Sequence, residues 1–205
     1  MPGSPSAAAP AGLLLAAGAG RRMGRPKALI ELGGRPLLLR ALDALRDGGC
    51  APLVVVLGAA ADQVTELVPD DVRAVLAEDW AEGMGASLRA GLRALAGLPE
   101  VDAALVHLVD LPGVGAPAIA RLAEAAAEGP SVLARAAYHG APGHPVLLGR
   151  AHWAGVRDAA RGDAGARDYL AGHPALRLVE SGELADPRDV DTPEALRDFR
   201  SGLPG

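Results

Sequence analysis

Residues 13–27 read LLLAAGAGRRMGRPK, an apolar run that turns into a glycine-rich and strongly basic segment. The apolar part predicts a buried first strand, because a strand covered on both faces of a sheet is continuously hydrophobic. Glycine lets the backbone that follows turn tightly and direct its N–H groups towards a ligand. Four arginine and lysine side chains add positive charge there, and no acid occurs before Glu31. The segment therefore predicts an anion-binding loop after the first strand.

The charge balance of the whole chain indicates which class of anion the basic loop binds. Lysine and arginine number 20 against 25 aspartates and glutamates, a net charge of −5. A local cationic pocket in an acidic protein suits a multiply charged small molecule better than nucleic acid. Two common phosphate loops are excluded by spacing. The third glycine of a dinucleotide fingerprint falls one place late, at Gly24, and Lys27 follows a proline rather than the glycine of a Walker loop. A nucleoside triphosphate is the expected ligand, and no nucleic-acid partner is expected.

Length and composition set further bounds. With 205 residues, half of them hydrophobic, the chain fits a single globular domain. Cys50 is the sole cysteine, which rules out an intrachain disulfide and favours a cytoplasmic location. Residues 11–20 are too few to cross a membrane, so we expect no membrane partner. Residues 1–10 are expected to be a flexible leader before a domain at 11–200.

Apolar runs alternate with helix-like segments through most of the chain. Strands are predicted at 53–57, 72–76 and 103–109, with helices between them. This order predicts an α/β fold, a single-domain α/β/α sandwich with a mostly parallel, Rossmann-like sheet. The last third predicts short strands at 131–136 and 145–148 around a Gly/Pro-rich connection. We expect a nucleotide-binding part at about 11–115 and an acceptor-binding part at about 116–200.

Three acids are candidates for a metal site. Asp110 follows a predicted strand, and ligands of α/β sheets bind beyond the carboxyl ends of the strands. Asp189 and Asp191 would point to one side of an extended segment. Mg²⁺ is usually held by one or two carboxylates with phosphates and water. Simpler interpretations stay open: Asp110 as a strand-end cap, and Asp191 or Thr192 as the cap of a helix that Pro193 opens.

Five ordered segments together resemble the molybdenum cofactor nucleotidyltransferases. Leu15-Ala16-Ala17-Gly18 with Arg22-Met23-Gly24 and Lys27 is similar to the signature loop of that family. The further matching segments are residues 80–88 (WAEGMGASL), 143–146 (GHPV), 162–167 (GDAGAR) and 189–194 (DVDTPE). The resemblance runs from about Leu13 to Phe199. The LAAG form of the loop is similar to the cytidylyltransferase branch, which uses CTP on molybdopterin.

The resemblance implies a site and a reaction. It implies Mg²⁺-dependent attack of the acceptor's terminal phosphate on the α-phosphorus of CTP, with release of pyrophosphate. Arg22, Lys27 and Asp110 would be catalytic. His144 and Asp163 would line the acceptor side, and Asp110 would hold Mg²⁺ with Asp189 or Asp191. The residues implied to bind nucleotide are Leu15, Ala16, Ala17, Gly18, Gly20, Arg22, Lys27 and Ser87.

One departure and several alternatives remain. The family usually has glycine where this chain has Val109, and the branched side chain could crowd the nucleotide or simply pack into the sheet. A sugar phosphate, polyol phosphate or other cofactor precursor could replace molybdopterin as acceptor. A non-catalytic protein that binds the cofactor and hands it to an apo-enzyme is another alternative. A molybdoenzyme or its chaperone is an expected protein partner. A nicotinamide-dependent oxidoreductase is the least favoured, because the glycine spacing is wrong and no ribose-binding acid follows Leu57.

Overall fold

Residues 9–201 are the part of the chain that the computed structural model describes, and strands and helices alternate through most of it. The strands are β1 (Ala11–Leu15), β2 (Glu31–Leu32), β3 (Arg35–Pro36), β4 (Leu53–Leu57), β5 (Val72–Leu76), β6 (Ala103–Leu108), β7 (Leu133–Tyr138), β8 (Ala141–Gly149) and β9 (Arg177–Glu180). The α-helices are α1 (Leu37–Asp47), α2 (Ala61–Thr65), α3 (Met84–Ala96), α4 (Ala116–Ala123), α5 (Trp153–Ala159), α6 (Arg167–Leu170) and α7 (Pro193–Ser201). No helix among the described residues is long and apolar enough to cross a membrane.

Seven strands form one sheet in the order β5-β4-β1-β6-β8-β7-β9. Only β8 runs antiparallel to its neighbours, so the predicted mostly parallel sheet is confirmed. The central strands are buried along their whole length, as their uninterrupted apolar sequence requires. The predicted α/β/α sandwich is likewise confirmed. Of the predicted leader, residues 1–8 lie outside the described part, while Pro10 is buried and its carbonyl accepts a hydrogen bond from Ala51.

Helices cover the two faces of the sheet and form two separate apolar layers. Leucines of α1 recur with helical spacing and pack on one face together with Ile119 of α4. On the other face α3 contributes Leu88 and Leu92 and packs with α5 and α6. Gly91 lets α3 approach closely, since a β-carbon there would lie 2.6 Å from Leu13. Parallel strands with helices on both faces leave the loops at the carboxyl edge free for ligands.

The last third departs from the predicted strand boundaries. The expected connection between β7 and β8 is a two-residue turn at His139 and Gly140, whose φ angles are 53° and 82°. Positive φ at both positions is the geometry of a tight hairpin. The Glu180 carboxylate accepts hydrogen bonds from both backbone N–H groups, at 2.9 and 3.0 Å. Strand β8 therefore begins at Ala141, four residues before the predicted start.

Candidate active site

The glycine-rich segment forms a folded loop at the carboxyl end of β1. A 3₁₀ turn at Arg21–Met23 lies between Gly20 and Gly24, which have φ angles of 59° and 71°. A β-carbon at Gly20 would lie 2.0 Å from the carbonyl oxygen of Arg25, so no other residue fits there without moving the backbone. Glycine is thus required at this position both for its conformation and for the close approach of two loop segments. The loop returns at Lys27, which begins a second 3₁₀ turn.

Lys27 joins three distant parts of the chain. Its Nζ lies 2.5 Å from Oδ2 of Asp110 and also forms an ion pair with Asp191. Arg22 of the same loop pairs with Asp191. The Lys27 and Asp191 side chains are 18% and 17% exposed, whereas Arg22 is 71% exposed. The structure therefore places the basic loop, the end of β6 and the segment before α7 around one partly buried group of charges.

Backbone contacts hold the two acids in this arrangement. The N–H of Val190, which is fully buried, donates to the carbonyl of Asp110 at 2.9 Å. Thr192 Oγ1 accepts a hydrogen bond from the N–H of Ala195 at 3.2 Å and so caps α7. Capping is thereby performed by Thr192, and the Asp191 carboxylate is directed to Lys27. Asp189 is exposed and forms no ion pair with any residue in the 9–201 range.

The carboxylate pair suits a hard divalent cation. Asp110 and Asp191 offer oxygen donors on two sides of one point, where Lys27 Nζ now lies. Within residues 9–201 no three His, Cys, Asp or Glu side chains gather closely enough to enclose a metal. Mg²⁺ does not need such a cage, because it commonly takes one or two carboxylates and completes its shell with phosphate and water. The donor set fits Mg²⁺ brought in with a nucleotide.

A cavity of about 260 Å³ lies between the sheet, α3 and α6, and Leu108, two residues before Asp110, is part of its lining. His144 of β8 and Asp163 line it together, as does Leu15 at the end of β1. Burial lowers the pKa of His144 to about 4, so its imidazole is neutral at pH 7. Its Nδ1 is buried without a hydrogen-bond partner. Most of the residues that line the cavity are thus apolar, and His144 contributes a neutral ring to its wall.

The remaining predicted residues flank these two regions. Ala16 and Ala17 are buried under the loop, and Ser87 is buried on the first turns of α3. The 80–88 segment contacts the 162–167 segment, since a β-carbon at Gly83 would lie 2.5 Å from Oδ1 of Asp163. Arg167 also lines the cavity, although sequence reasoning assigned it no role. The sequence feature that could have identified Arg167 is its position at the end of the GDAGAR segment.

Val109 packs into the core rather than standing beside the carboxylates. It is 5% exposed and belongs to the apolar layer that contains α1 and α4. Its N–H donates to the carbonyl of Leu15 at 3.2 Å, which continues the pairing of the strands. Strand β6 itself ends at Leu108, one residue before the predicted end. Of the two expectations for this side chain, packing into the sheet describes the observed position.

These features define a nucleotidyltransferase-type fold with its site at the carboxyl edge of the sheet. Residues 12–178 match the model of the MobA-like NTP transferase domain, and the chain belongs to that family. The resemblance inferred from the five segments is therefore confirmed at the level of the family.

The similar proteins include one named as an oxidoreductase and two solved structures. A nicotine blue oxidoreductase of Paenarthrobacter nicotinovorans is 36% identical over 200 residues, which cover 90% of this chain and 93% of that protein. The crystal structure of a homologue of Mycobacterium tuberculosis rv0371c, from Mycobacterium sp. strain JC1, is similar with a TM-score of 0.80 and 31% identity, over 93% and 94% of the two chains. Rv0371c of M. tuberculosis in complex with manganese is similar with a TM-score of 0.76 and 25% identity, over 96% of this chain and all of that one.

Proposed function

We propose that this protein transfers a nucleoside monophosphate from CTP to molybdopterin, in a Mg²⁺-dependent reaction that releases pyrophosphate. The proposal rests chiefly on one observation: Lys27 of the glycine loop bridges Asp110 and Asp191. A triphosphate loop and a pair of metal-binding carboxylates are thereby in contact at one point. The LAAG form of the loop supports CTP, and a molybdoenzyme or its chaperone is the expected partner.

The residues have separate tasks in this proposal. Backbone N–H groups from Ala17 to Gly20 would surround the phosphates, since the N–H of Ala16 already donates to the carbonyl of Val56. Lys27 and Arg22 would turn from Asp191 to the triphosphate and offset its charge. Asp110 and Asp191 would hold Mg²⁺, which would supply positive charge to offset the negative charge of the departing pyrophosphate. Ser87 lies on the nucleotide side, in the 11–115 part of the chain. Positioning and electrostatic stabilisation are sufficient for this chemistry, so no covalent nucleophile is required.

The cavity beside Asp110 is the proposed acceptor site. His144 and Asp163 line it, and both belong to the 116–200 part of the chain. Because the cavity adjoins the end of β6, an acceptor held there would present its terminal phosphate near the carboxylates. Sugar and polyol phosphates are the alternative acceptors that retain the same chemistry. The other alternative is a delivery protein, which would bind the cofactor without catalysing nucleotidyl transfer.

Pyrophosphate release is the decisive measurement. The protein with Mg²⁺ is supplied with CTP, GTP, ATP or UTP, each with and without molybdopterin. We expect release only with CTP and molybdopterin together. Release with another nucleotide would correct the base, and release with a sugar or polyol phosphate would correct the acceptor. Tight binding of molybdopterin without any release would favour the delivery protein.

Two matched variants connect the reaction to the site. Asp110→Asn preserves the size of the side chain but removes the charge that would hold metal, so we expect turnover to fall at least a hundredfold. Asp158→Asn makes the same change on the exposed surface of α5 and should leave turnover unaltered. Normal turnover in folded Asp110→Asn would reject the metal assignment.

An oxidoreductase is the second candidate, and the name of the Paenarthrobacter relative is the observation in its favour. The direct test of oxidoreductase activity is to supply nicotine blue with NADH or NADPH and to measure the loss of dye absorbance. Dye reduction without pyrophosphate release would replace the transferase proposal. The glycine spacing of the loop argues for the transferase.

A further inference from the structure

Two arginines face the cavity beside Asp110. Arg135 enters from β7 and Arg167 from the start of α6. Arg135 Nε donates to the carbonyl of Gly143 at 2.8 Å, which fixes the direction of its guanidinium group. Among the described residues, neither arginine has a carboxylate within ion-pair distance. The two positive charges are therefore available to a ligand.

Like charge accumulates at this end of the cavity. Burial, and then the nearby Arg167 guanidinium, lower the pKa of Arg135. A half-buried cation beside a second cation is unfavourable until an anion joins them. Guanidinium groups bind phosphate and carboxylate through paired N–H donors. This arrangement has the charge and the donor geometry of an oxyanion subsite.

The rest of the cavity wall is almost entirely aliphatic. Polar side chains contribute only His144 and Asp163 besides the arginines, among the residues that line it. A sugar or polyol would bring several hydroxyl groups, and burying each one without a hydrogen-bond partner is unfavourable. A flat ring system has no such hydroxyl groups, so packing it against an aliphatic wall has no comparable cost. The larger branched apolar side chains include Leu15, Leu88, Val106, Leu108, Val146 and Leu148.

We propose that Arg135 and Arg167 bind an oxyanion of the acceptor while the aliphatic wall holds a ring system. The acceptor is then a phosphate ester of a largely unsaturated ring compound, and sugar and polyol phosphates are poor acceptors. This inference rests on the proposed function, because it takes the cavity for the acceptor site. It adds two specificity-determining residues to that site.

Small probes test the subsite directly. Phenyl phosphate, benzoate, glycerol 3-phosphate and inorganic phosphate are titrated by calorimetry into Lys27→Ala protein, in which the glycine loop has lost its central cation. We expect phenyl phosphate to bind at least tenfold more tightly than glycerol 3-phosphate or inorganic phosphate. Benzoate carries a ring without phosphate and should also bind less tightly than phenyl phosphate.

Charge-removing variants then locate the binding. In the Lys27→Ala background, Arg135→Gln and Arg167→Gln should each weaken phenyl phosphate binding by ten- to a hundredfold, because a hydrogen bond to a charged group contributes about 1.5–3 kcal/mol. Arg157→Gln removes the same charge from α5 outside the cavity and should change nothing. Thermal unfolding verifies that each variant is folded. Arg167 is exposed, so Arg167→Gln provides the test even if Arg135→Gln does not fold.

Each result supports or overturns the subsite. Equal affinity for glycerol 3-phosphate, or affinity that ignores both arginines, overturns it. Pyrophosphate release that persists alongside such a result leaves the proposed function standing and removes only this inference. Arginine-dependent binding of phenyl phosphate in a protein that never releases pyrophosphate has the opposite meaning: the subsite exists, but the transferase proposal fails.

Discussion

Lys27 shows how far individual residues could be read from the sequence. The basic loop and Asp110 were each identifiable as functional candidates, because charge and position at strand ends have direct chemical meaning. The contact between Lys27 and Asp110, which are 83 residues apart in the chain, could not be predicted, since it depends on the folded sheet. Asp189 and Asp191 were equivalent in the sequence. The structure separates them through Thr192, whose capping bond leaves Asp191 facing Lys27.

Val109→Gly tests the departure from the usual glycine. The side chain packs into the core away from the carboxylates, so removing it should cost about 2–3 kcal/mol of stability through lost burial and greater backbone freedom. Turnover per folded molecule should be equal or higher, because no contact of the site is removed. Urea unfolding and pyrophosphate release measure the two effects.

Val114→Gly is the control for that change. The Val114 side chain is 2% exposed and lies in the same loop region. The substitution removes the same volume, but Val114 is not next to Asp110 in the chain. A similar loss of stability with unaltered turnover is expected there. If Val109→Gly were inactive while Val114→Gly worked normally, Val109 would have a direct role in the site.

At the scale of elements, hydrophobic patterns identified most strands and helices but misplaced irregular ends. Strand β4 matches its predicted range, because burial on two faces leaves an uninterrupted apolar run in the sequence. The start of β8 was missed since its sequence, APGHP, contains two prolines and a glycine. Pairing with β7 and the bonds from Glu180 impose extended structure there. Such tertiary contacts leave no local periodic signal.

Gly20→Ala tests the loop as an element. A β-carbon there would meet the Arg25 carbonyl at 2.0 Å, so the two arms of the loop must separate. We expect at least a tenfold loss in affinity for CTP with Mg²⁺, measured by calorimetry. Gly24→Ala is the matched control, because φ is also positive but no atom lies within 4 Å of an added β-carbon. Equal losses in both variants would assign the effect to backbone strain alone.

For the whole molecule, two buried histidines make stability depend on pH. Burial lowers the pKa of His107 to about 3 and that of His144 to about 4, and the mutual charge of His107 and His144 contributes to the first. The unfolded chain, with histidine pKa near 6.5, binds more protons below that pH. Stability is therefore full above about pH 7 and falls as pH decreases towards the folded-state values.

The expected change is measurable by urea unfolding. Between pH 7 and pH 5 each histidine should remove about 2 kcal/mol from the free energy of unfolding. His107→Leu should roughly halve the dependence, whatever its effect on stability at pH 7. The exposed His139 provides the comparison, because His139→Leu should keep the full dependence. A flat profile in the unaltered protein would contradict neutral burial of both rings.

The position of Lys27 between the two carboxylates has a consequence for the order of events in the whole molecule. A metal ion that arrives alone meets an ammonium group already paired with Asp110 and Asp191. A triphosphate gives that ammonium group another partner and frees the carboxylates. Under the proposed function, metal and nucleotide therefore bind with positive cooperativity, and each raises the affinity for the other by the same factor. On that proposal, the internal cation makes the protein selective for the metal–nucleotide complex over either component by itself.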